Sequence, residues 1–487
     1  MKTIKGLIIV AIMVLLLIPA FTSGGDSGHH EELGDMLPIW SIIPFVGMLV
    51  SIALFPLFKP QWWDKNLFNV AIVWSLVFLI PFAIGFGPSV AGFQFYEILL
   101  LDYLPFIVLL WGLFAVSGGI VIKGSLSGST IVNVIILIIG MLIASWVGTT
   151  GASMLMIRPM IRANSWRKRK VHIFVFFIFL VSNIGGCLTP LGDPPLYLGF
   201  LRNIPFFWTM QLAPILFFNA VVLIIAFFFI DRHFYKKDIA DGCKPVVFEK
   251  KEPIRVEGAH NFIFLAMIVG AVILSGTLSQ TGLLTDSATG EALGIPFAYG
   301  ISIPLNNVIQ MVIIVLAGFL AVRTTKKELH TLNNFSWGPI KEVACLFIGI
   351  FITMIPALAL LRTHGASLGI TEPWQFFWAT GMLSSFLDNA PTYLVFMTTA
   401  SSLPVTAGGL VTSIGSIAPQ LLLAISAGAV FMGANTYIGN APNFMVKSIV
   451  EENKIKMPSF FGYMGWAGRV LLPVFILDTI IFFVWLV

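Results

Sequence analysis

The stretch Ser182-Asn-Ile-Gly-Gly-Cys-Leu-Thr-Pro-Leu-Gly-Asp-Pro-Pro-Leu196 lies inside a long apolar run and contains one aspartate, three glycines and three prolines. Glycine frees the backbone, and proline suits the first turn of a helix. The stretch therefore predicts a helix that ends near Gly185, unwinds, and starts again at Pro194. Irregular backbone at membrane depth is tolerated only where it is buried in protein or lines a wet cavity, so we expect a binding site here.

The same pattern recurs about half a chain later. Gly433-Ala-Asn-Thr-Tyr-Ile-Gly-Asn-Ala-Pro-Asn443 aligns with residues 186–196 without a gap, at an offset of 247 residues (433 − 186 = 247). A second interrupted segment precedes each copy: Ala144-Ser-Trp-Val-Gly-Thr-Thr-Gly-Ala-Ser153 the first, and Ser384-Ser-Phe-Leu-Asp-Asn-Ala-Pro-Thr-Tyr393 the second. Interrupted hydrophobic segments in corresponding positions of two halves indicate the binding site of a secondary transporter.

The composition agrees with a membrane protein. The chain is 57% hydrophobic and 10% charged, whereas a soluble globular protein is about 25% charged. The net charge of +5 would suggest nucleic acid as a partner of a soluble chain. Here the basic residues lie in loops between apolar runs, which predicts membrane orientation and no nucleic-acid partner. The three cysteines have no paired spacing, which argues against a disulfide framework and a zinc site.

The chain divides into four predicted regions. Residues 1–25 have the outline of a secretory signal peptide or of an uncleaved signal anchor. Residues 38–230 form a first transporter repeat, 231–259 a cytoplasmic linker without chemistry, and 260–487 a second, inverted repeat. In the first repeat we predict spans at 39–58, 67–86, 98–121 and 210–230, a hairpin at 130–161 and a broken helix at 171–198. In the second we predict spans at 260–278, 295–322, 343–361 and 466–487, a hairpin at 373–402 and a broken helix at 419–450.

The distribution of basic residues predicts the orientation. With the amino-terminal tail outside and the linker in the cytoplasm, only Arg202 and Arg362 fall outside, leaving aside Lys2 and Lys5. The two hairpins then enter from opposite sides and the two broken helices run in opposite directions. The predicted fold is an all-α polytopic membrane protein of two inverted repeats. Each repeat has five transmembrane helices, one of them discontinuous, plus one re-entrant hairpin.

Two carboxylates, Asp193 and Asp388, fall within the interrupted segments. Buried ionisable residues in membrane segments usually mark an ion or proton path, and hard cations such as sodium prefer oxygen ligands. We therefore predict Asp193 and Asp388 as sodium ligands, each able to hold a cation or a proton in turn. The polar and backbone groups around them complete the predicted ion- or substrate-binding set: Ser182, Asn183, Thr189, Gly192, Asn389, Thr392, Asn435, Thr436, Asn440 and Asn443.

Other roles for these acids are open at this stage. Asp193 could merely cap the helix that begins at Pro194, and Asp388 is less expected to be such a cap. The acids Asp102, Glu342 and Asp478, together with His172 and His364, are predicted to lie at the membrane interface.

An organic anion is the competing cargo. Helix N-termini that converge at the midplane attract carboxylates. Neither break, at 182–196 or 433–443, contains Arg or Lys, however, and two aspartates would repel an anion. Sodium coupling could offset that repulsion, so anion symport stays open. An enzyme is disfavoured because the sequence shows no Ser/His/Asp set, metal-ligand cluster or phosphate loop.

At these residues the chain resembles the ion transporter superfamily, which includes NhaD-type sodium/proton antiporters, arsenite permeases and citrate and dicarboxylate transporters. The segments that carry the resemblance are Ser182–Asp193 and Leu387-Asp-Asn-Ala-Pro-Thr392. It covers roughly residues 38–487 and is strongest to the citrate-transporter branch. Gly148-Thr-Thr-Gly151 lacks the serine-asparagine-threonine signature of the dicarboxylate branch, which favours cation exchange.

The resemblance implies an inner-membrane secondary carrier of bacterial type, commonly a homodimer, with a scaffold and a moving transport part. It implies one ion site at Asn183, Thr189 and Asp193, and another at Asp388, Asn389, Asn435 and Thr436. We therefore expect a sodium/proton antiporter that works by alternating access in the lipid bilayer. No resident cofactor is expected, since sodium and protons are cargo. The alternative is a sodium-coupled symporter of citrate or a dicarboxylate.

Overall fold

The computed structural model of the chain describes residues 33–245, 253–281, 283–284, 292–333, 335–405 and 408–485. The predicted signal segment at 1–25 lies outside the described residues. Nearly all regular structure in the described part is helical. The strands described form three short antiparallel pairs, β1–β2, β3–β4 and β5–β6, whose bounds are given below.

The first half begins with three long apolar helical segments and continues through a hairpin and a broken helix. Its elements are α1 (Leu33–Met36), α2 (Ile43–Phe58), α3 (Pro60–Phe86), α4 (Pro88–Glu97), a π-helix (Ile98–Tyr103), α5 (Leu104–Ser117), β1 (Val121–Lys123), α6 (Thr130–Val147), α7 (Thr149–Ala163), α8 (Val171–Leu180), α9 (Pro194–Leu201) and α10 (Ala213–Ala240).

The second half also contains a helical hairpin and an interrupted helix. Its elements are β2 (Arg255–Glu257), α11 (Asn261–Thr281), β3 (Gly294–Pro296), β4 (Ser302–Pro304), α12 (Leu305–Thr324), α13 (Lys327–Leu332), α14 (Gly338–His364), α15 (Pro373–Phe386), α16 (Asn389–Ser401), β5 (Leu410–Thr412), β6 (Gly415–Ile417), α17 (Pro419–Met432), α18 (Ala441–Glu452), α19 (Phe460–Ile480) and a π-helix (Ile481–Trp485).

Nine helical segments among the described residues are long and apolar enough to cross a membrane. Several carry large apolar side chains that point away from the protein, such as Ile84 at 81% exposure and Phe217 at 72%. Helices that are apolar all round are typical of a membrane environment. The predicted all-α polytopic membrane fold is therefore confirmed.

Two predicted boundaries need correction. The predicted span at 295–322 is wrong in its first part, because residues 294–304 contain the β3–β4 hairpin and the helix starts only at Leu305. Pro296 and Pro304 have no N–H to give to a helix, and the regular helix begins only after the second proline. The span predicted at 210–230 continues as a helix to Ala240, ten residues into the region predicted as linker.

The four interruptions overlap the predicted segments, although the helix predicted to end near Gly185 already ends at Leu180. The first hairpin breaks at Gly148, whose φ of +83° is the left-handed region that favours glycine. The first broken helix ends at Leu180, passes through a short turn at Ile184–Gly186 and restarts at Pro194. The second ends at Met432, passes through an equivalent turn at Gly433–Asn435 and restarts at Ala441.

The two broken helices also share local geometry. Asp193 and its repeat counterpart Asn440 have nearly the same backbone angles, φ/ψ of −143°/141° and −154°/139°. The Thr189 hydroxyl donates to the carbonyl of Ser145, and the Thr436 hydroxyl donates to the carbonyl of Ser385. Each hydroxyl thus ties a break to the hairpin that precedes it. α8 is buried from His172 to Leu180, so the first break lies deep inside the protein.

Candidate ion-binding site

Asp193 lies at the centre of the four interruptions and is only 1% exposed. Its carboxylate accepts three hydrogen bonds: from Thr149 Oγ1 at 3.0 Å, from Asn440 Nδ2 at 3.0 Å and from Asn389 Nδ2 at 2.5 Å. Although Asp193 occupies the N-cap position of α9, its side chain makes no capping hydrogen bond. The reading of Asp193 as a mere helix cap is therefore wrong.

Each donor comes from a different interrupted element. Thr149 follows the break of the first hairpin, Asn389 begins the second arm of the second hairpin, and Asn440 precedes the restart of the second broken helix. Since Asp193 itself belongs to the first broken helix, one carboxylate joins all four. Within the described residues, no Lys, Arg or His forms an ion pair with Asp193. Its negative charge is therefore stabilised only by neutral donors.

Buried asparagine side chains next to Asp193 and its donors form a hydrogen-bond network. Asn183 Nδ2 donates to Asn443 Oδ1 at 2.7 Å, and Asn440 Nδ2 lies 3.3 Å from Asn183 Oδ1. Asn443 in turn donates to the carbonyls of Gly433 and Thr436 at 2.8 and 2.9 Å. These bonds connect the first half of the chain to the second. A satisfied buried network of this kind fixes the positions of its members.

Asn389 has an unused acceptor at the site. Its side chain is fully buried, and its Oδ1 has no hydrogen-bond partner among the described residues. The same amide donates through Nδ2 to Asp193. Buried acceptor oxygens are nearly always satisfied, so each exception calls for a physical reason. A cation bound beside Asp193 would supply that partner.

Asp388 differs from Asp193. It is half-buried, and its carboxylate accepts a hydrogen bond from the backbone N–H of Ala390 at 3.1 Å, which caps α16. The sequence suggested a capping role for Asp193 rather than for Asp388. The structure shows the reverse, because Asp388 makes the capping bond and Asp193 does not. The two carboxylates still lie close enough to interact electrostatically. The Thr392 hydroxyl donates to the backbone carbonyl of Asp388 at 3.0 Å and is committed to that bond.

The remaining predicted residues shape the breaks and make no side-chain hydrogen bond to Asp193. The Thr189 and Thr436 hydroxyls bind the hairpin carbonyls described above. Asn435 Nδ2 donates to Ser385 Oγ at 2.9 Å, and Ser182 shares a 2.8 Å hydrogen bond with Ser153. Gly192 packs against the carbonyl of Gly186 so closely that a Cβ would not fit.

Thr149 is the residue at the site that the predicted set leaves out. The signal that could have found it is the repeat itself, because Thr149 corresponds to Asn389 at the hairpin offset of 240 residues (389 − 149 = 240). Both side chains donate to the carboxylate of Asp193. The two hairpin tips therefore supply equivalent donors in spite of their different sequences.

Three residues predicted at the membrane interface are buried, which corrects that prediction. The Asp102 carboxylate accepts hydrogen bonds from both terminal nitrogens of Arg202. Each carboxylate oxygen of Asp478 lies 2.9 Å from Asn219 Nδ2, which donates to it. His172 is 2% exposed and lies 2.7 Å from Asp231 Oδ1. Buried charges need partners, and those partners lie far away in sequence. The others, Glu342 and His364, are exposed.

The region predicted as linker supplies two of these buried acids. Asp231 and Asp238 are fully buried and flank Arg167, with distances of 2.5 Å to Nη1 and 3.4 Å to Nε. At the protein surface beside them, Arg169 donates to Asp241 at 2.6 Å and holds the pKa of that carboxyl below its usual range. We call the buried residues Arg167, Asp231, Asp238 and His172 the arginine cluster. Its charges are paired, unlike the charge of Asp193.

Comparison with protein families gives a match over nearly the whole chain. The family model described as "Putative citrate transport" matches residues 34–483, which include all four interruptions and every residue that touches Asp193. A comparison with curated proteins finds no match.

Proposed function

The chain belongs to this citrate-transport family. We propose that it is a secondary transporter that exchanges sodium ions for protons at Asp193. The observation that carries the proposal is the convergence of four interrupted elements on one buried carboxylate with only neutral donors around it. An ionised carboxylate without a positive partner is costly to bury. A bound cation or a proton would remove that cost.

Sodium and a proton cannot neutralise the same carboxylate at once, and this exclusion is the physical basis of exchange. The oxygens that could hold sodium are the carboxylate of Asp193 and the unused Oδ1 of Asn389. Both suit a hard cation. When Asp193 takes up a proton, the cation loses its main charge partner and leaves.

Alternating access would move the hairpins and broken helices, which carry the site, against the remaining spans. The matched hydrogen bonds of Thr189 and Thr436 support a common plan for the two halves. The inverted orientation of the repeats, an outside amino-terminal tail, a cytoplasmic linker and a homodimer remain predictions.

Sodium-coupled symport of citrate or a dicarboxylate is the second candidate, and the family description favours it. A sodium ion bound at Asp193 would offset the repulsion between that carboxylate and an organic anion. In this reading the cation is the coupling ion and the anion is the cargo.

A single vesicle assay distinguishes sodium/proton exchange from sodium-coupled symport. In inverted membrane vesicles with an acidified lumen, we expect sodium alone to restore the fluorescence of a pH-gradient dye. Asp193→Asn should abolish this response, while Asp64→Asn, which changes an exposed acid, should not. Proton movement that requires both sodium and citrate would favour symport. A sodium response that survives in Asp193→Asn would remove Asp193 from the mechanism.

A further inference from the structure

A cavity of about 1230 Å³ lies at the end of α9 opposite to Asp193. Its walls come from α4 and the π-helix beside it, the end of α9, α11, α12, α14 and the β5–β6 loop. α9 has eight residues, which places the cavity about 12 Å from Asp193 along the helix at ~1.5 Å per residue. The cavity is thus separate from the site at Asp193.

Arg202 and Arg362 both line this cavity. They are the two arginines that the charge distribution places outside, against the general bias of the chain. Arg202 is neutralised, because both of its terminal nitrogens donate to Asp102. Among the described residues, no hydrogen bond or ion pair engages the guanidinium of Arg362.

Arg362 lies close enough to Arg202, Asp102 and Glu97 to interact with them electrostatically. Asp102 is committed to Arg202, and Glu97 has an interaction of its own. Both acids line the cavity, but neither forms an ion pair with Arg362 among the described residues. A positive group with open hydrogen-bonding capacity is left facing a cavity.

Neutral polar groups also form part of the cavity wall. Asn306, Asn307, Ser275 and Thr363 line the same cavity. A guanidinium presents a planar pair of N–H donors that matches a carboxylate in two-point geometry, and neutral donors can bind further carboxylate oxygens. The volume is ample for a small molecule with two or three carboxylates.

We propose that this cavity is a binding site for a small organic di- or tricarboxylate, held by Arg362. The site goes beyond the exchange proposed at Asp193 and does not depend on which ion that residue carries. If the carrier is a symporter, an anion bound here would be collected before it reaches the central site. If it is an antiporter, the cavity is an anion site separate from the cation site at Asp193.

The test is calorimetric titration of the purified full-length protein with citrate in sodium-free choline buffer. Without sodium, coupled binding at Asp193 does not contribute. We expect saturable binding by the wild type, at least tenfold weaker binding by Arg362→Gln, and an intermediate loss in Arg362→Lys, which keeps the charge but not the planar donor pair. The matched control is Arg323→Gln, which changes an arginine near the end of α12 and outside this cavity.

Three outcomes would overturn the proposal: no saturable citrate binding by the wild type, equal binding by Arg362→Gln, or sulfate binding as strong as citrate binding. Arg362 is exposed and unpaired among the described residues, so Arg362→Gln should unfold at the same temperature as the wild type. Asp193→Asn should bind citrate normally here. Loss of sodium-driven proton movement in that variant therefore bears on the central site and leaves the cavity proposal standing.

Discussion

The chain buries acidic side chains in two places and treats them in opposite ways. In the arginine cluster, Asp231 and Asp238 lie against the guanidinium of Arg167, and both members of each pair are fully buried. At the centre of the four breaks, Asp193 meets only hydroxyl and amide donors. The first arrangement pairs each buried carboxylate with a cation of the protein itself. The second leaves a charge to be neutralised, which is what a reversible ion site requires.

The largest effect expected from the arginine cluster is on folding. Arg167→Met removes the cation that Asp231 and Asp238 share and leaves Asp238 only its contact to Arg169. Breaking a buried pair in this way costs about 3–5 kcal/mol. We expect a clearly lower unfolding temperature in detergent by size-exclusion thermal analysis. Lys168→Met, which changes the exposed neighbour, should leave that temperature unchanged. Equal stability of Arg167→Met and Lys168→Met would show that the cluster is not structural.

Asp388→Asn tests whether the second acid acts through its charge. Asparagine is as good an N-cap as aspartate, so the bond to Ala390 is kept and only the charge is lost. We expect about tenfold weaker apparent sodium affinity, with transport retained at saturating sodium. Asp388→Ala also removes the cap and should in addition cost about 1 kcal/mol of stability. If the sodium affinity of Asp388→Asn matches the wild type, Asp388 serves only as a cap.

Thr149→Val removes one neutral donor from Asp193 while keeping the shape of the side chain. A hydrogen bond of this kind contributes about 0.5–1.5 kcal/mol, so sodium affinity should change by roughly two- to tenfold. The adjacent Thr150→Val is the matched control, because no described hydrogen bond uses that hydroxyl. Vesicle assays over a sodium series compare the two. Identical curves for both variants would mean that the Thr149 contact to Asp193 is dispensable.

The smallest effect concerns the surface pair beside the arginine cluster. Arg169 holds the pKa of Asp241 below its usual range. The pair therefore contributes stability above the ordinary pKa of an aspartate, and that contribution disappears as pH falls through the lowered value. Because Asp241 is exposed and screened by solvent, Asp241→Asn should lower the unfolding temperature only slightly at neutral pH. The difference from the wild type should vanish in strong acid and in high salt.

The sequence predicts the positions of the breaks well because glycine and proline act locally. Gly148 has a left-handed backbone, which favours glycine, and Pro194 is the first residue of α9, a position that suits proline. The alignment of the two halves also points to the residues that meet, and Thr149 could have been found by applying the offset consistently. Burial of the site is also predictable from the sequence, because unwound backbone at membrane depth must be covered by protein.

The burial and contacts of other side chains could not be predicted, because their partners lie far away in the sequence. The carboxylate of Asp388 binds its own helix end whereas that of Asp193 turns away from its helix, and both are aspartates at N-cap positions. His172 and Asp478 look like residues at span ends until Asp231 and Asn219 are found against them. The start of α12 at Leu305 was also missed, because apolar content alone does not separate a short hairpin from the first turns of a helix.

The measurement that tests the account most directly is binding of radioactive sodium to the purified protein as a function of pH. We expect the wild type to bind sodium at neutral pH and to lose it as pH falls, because protons take the place of the cation on Asp193. Asp193→Asn should bind no sodium at any pH while remaining folded. Sodium binding that is independent of pH, or that is unchanged in Asp193→Asn, would contradict the assignment of Asp193 as the exchanging carboxylate.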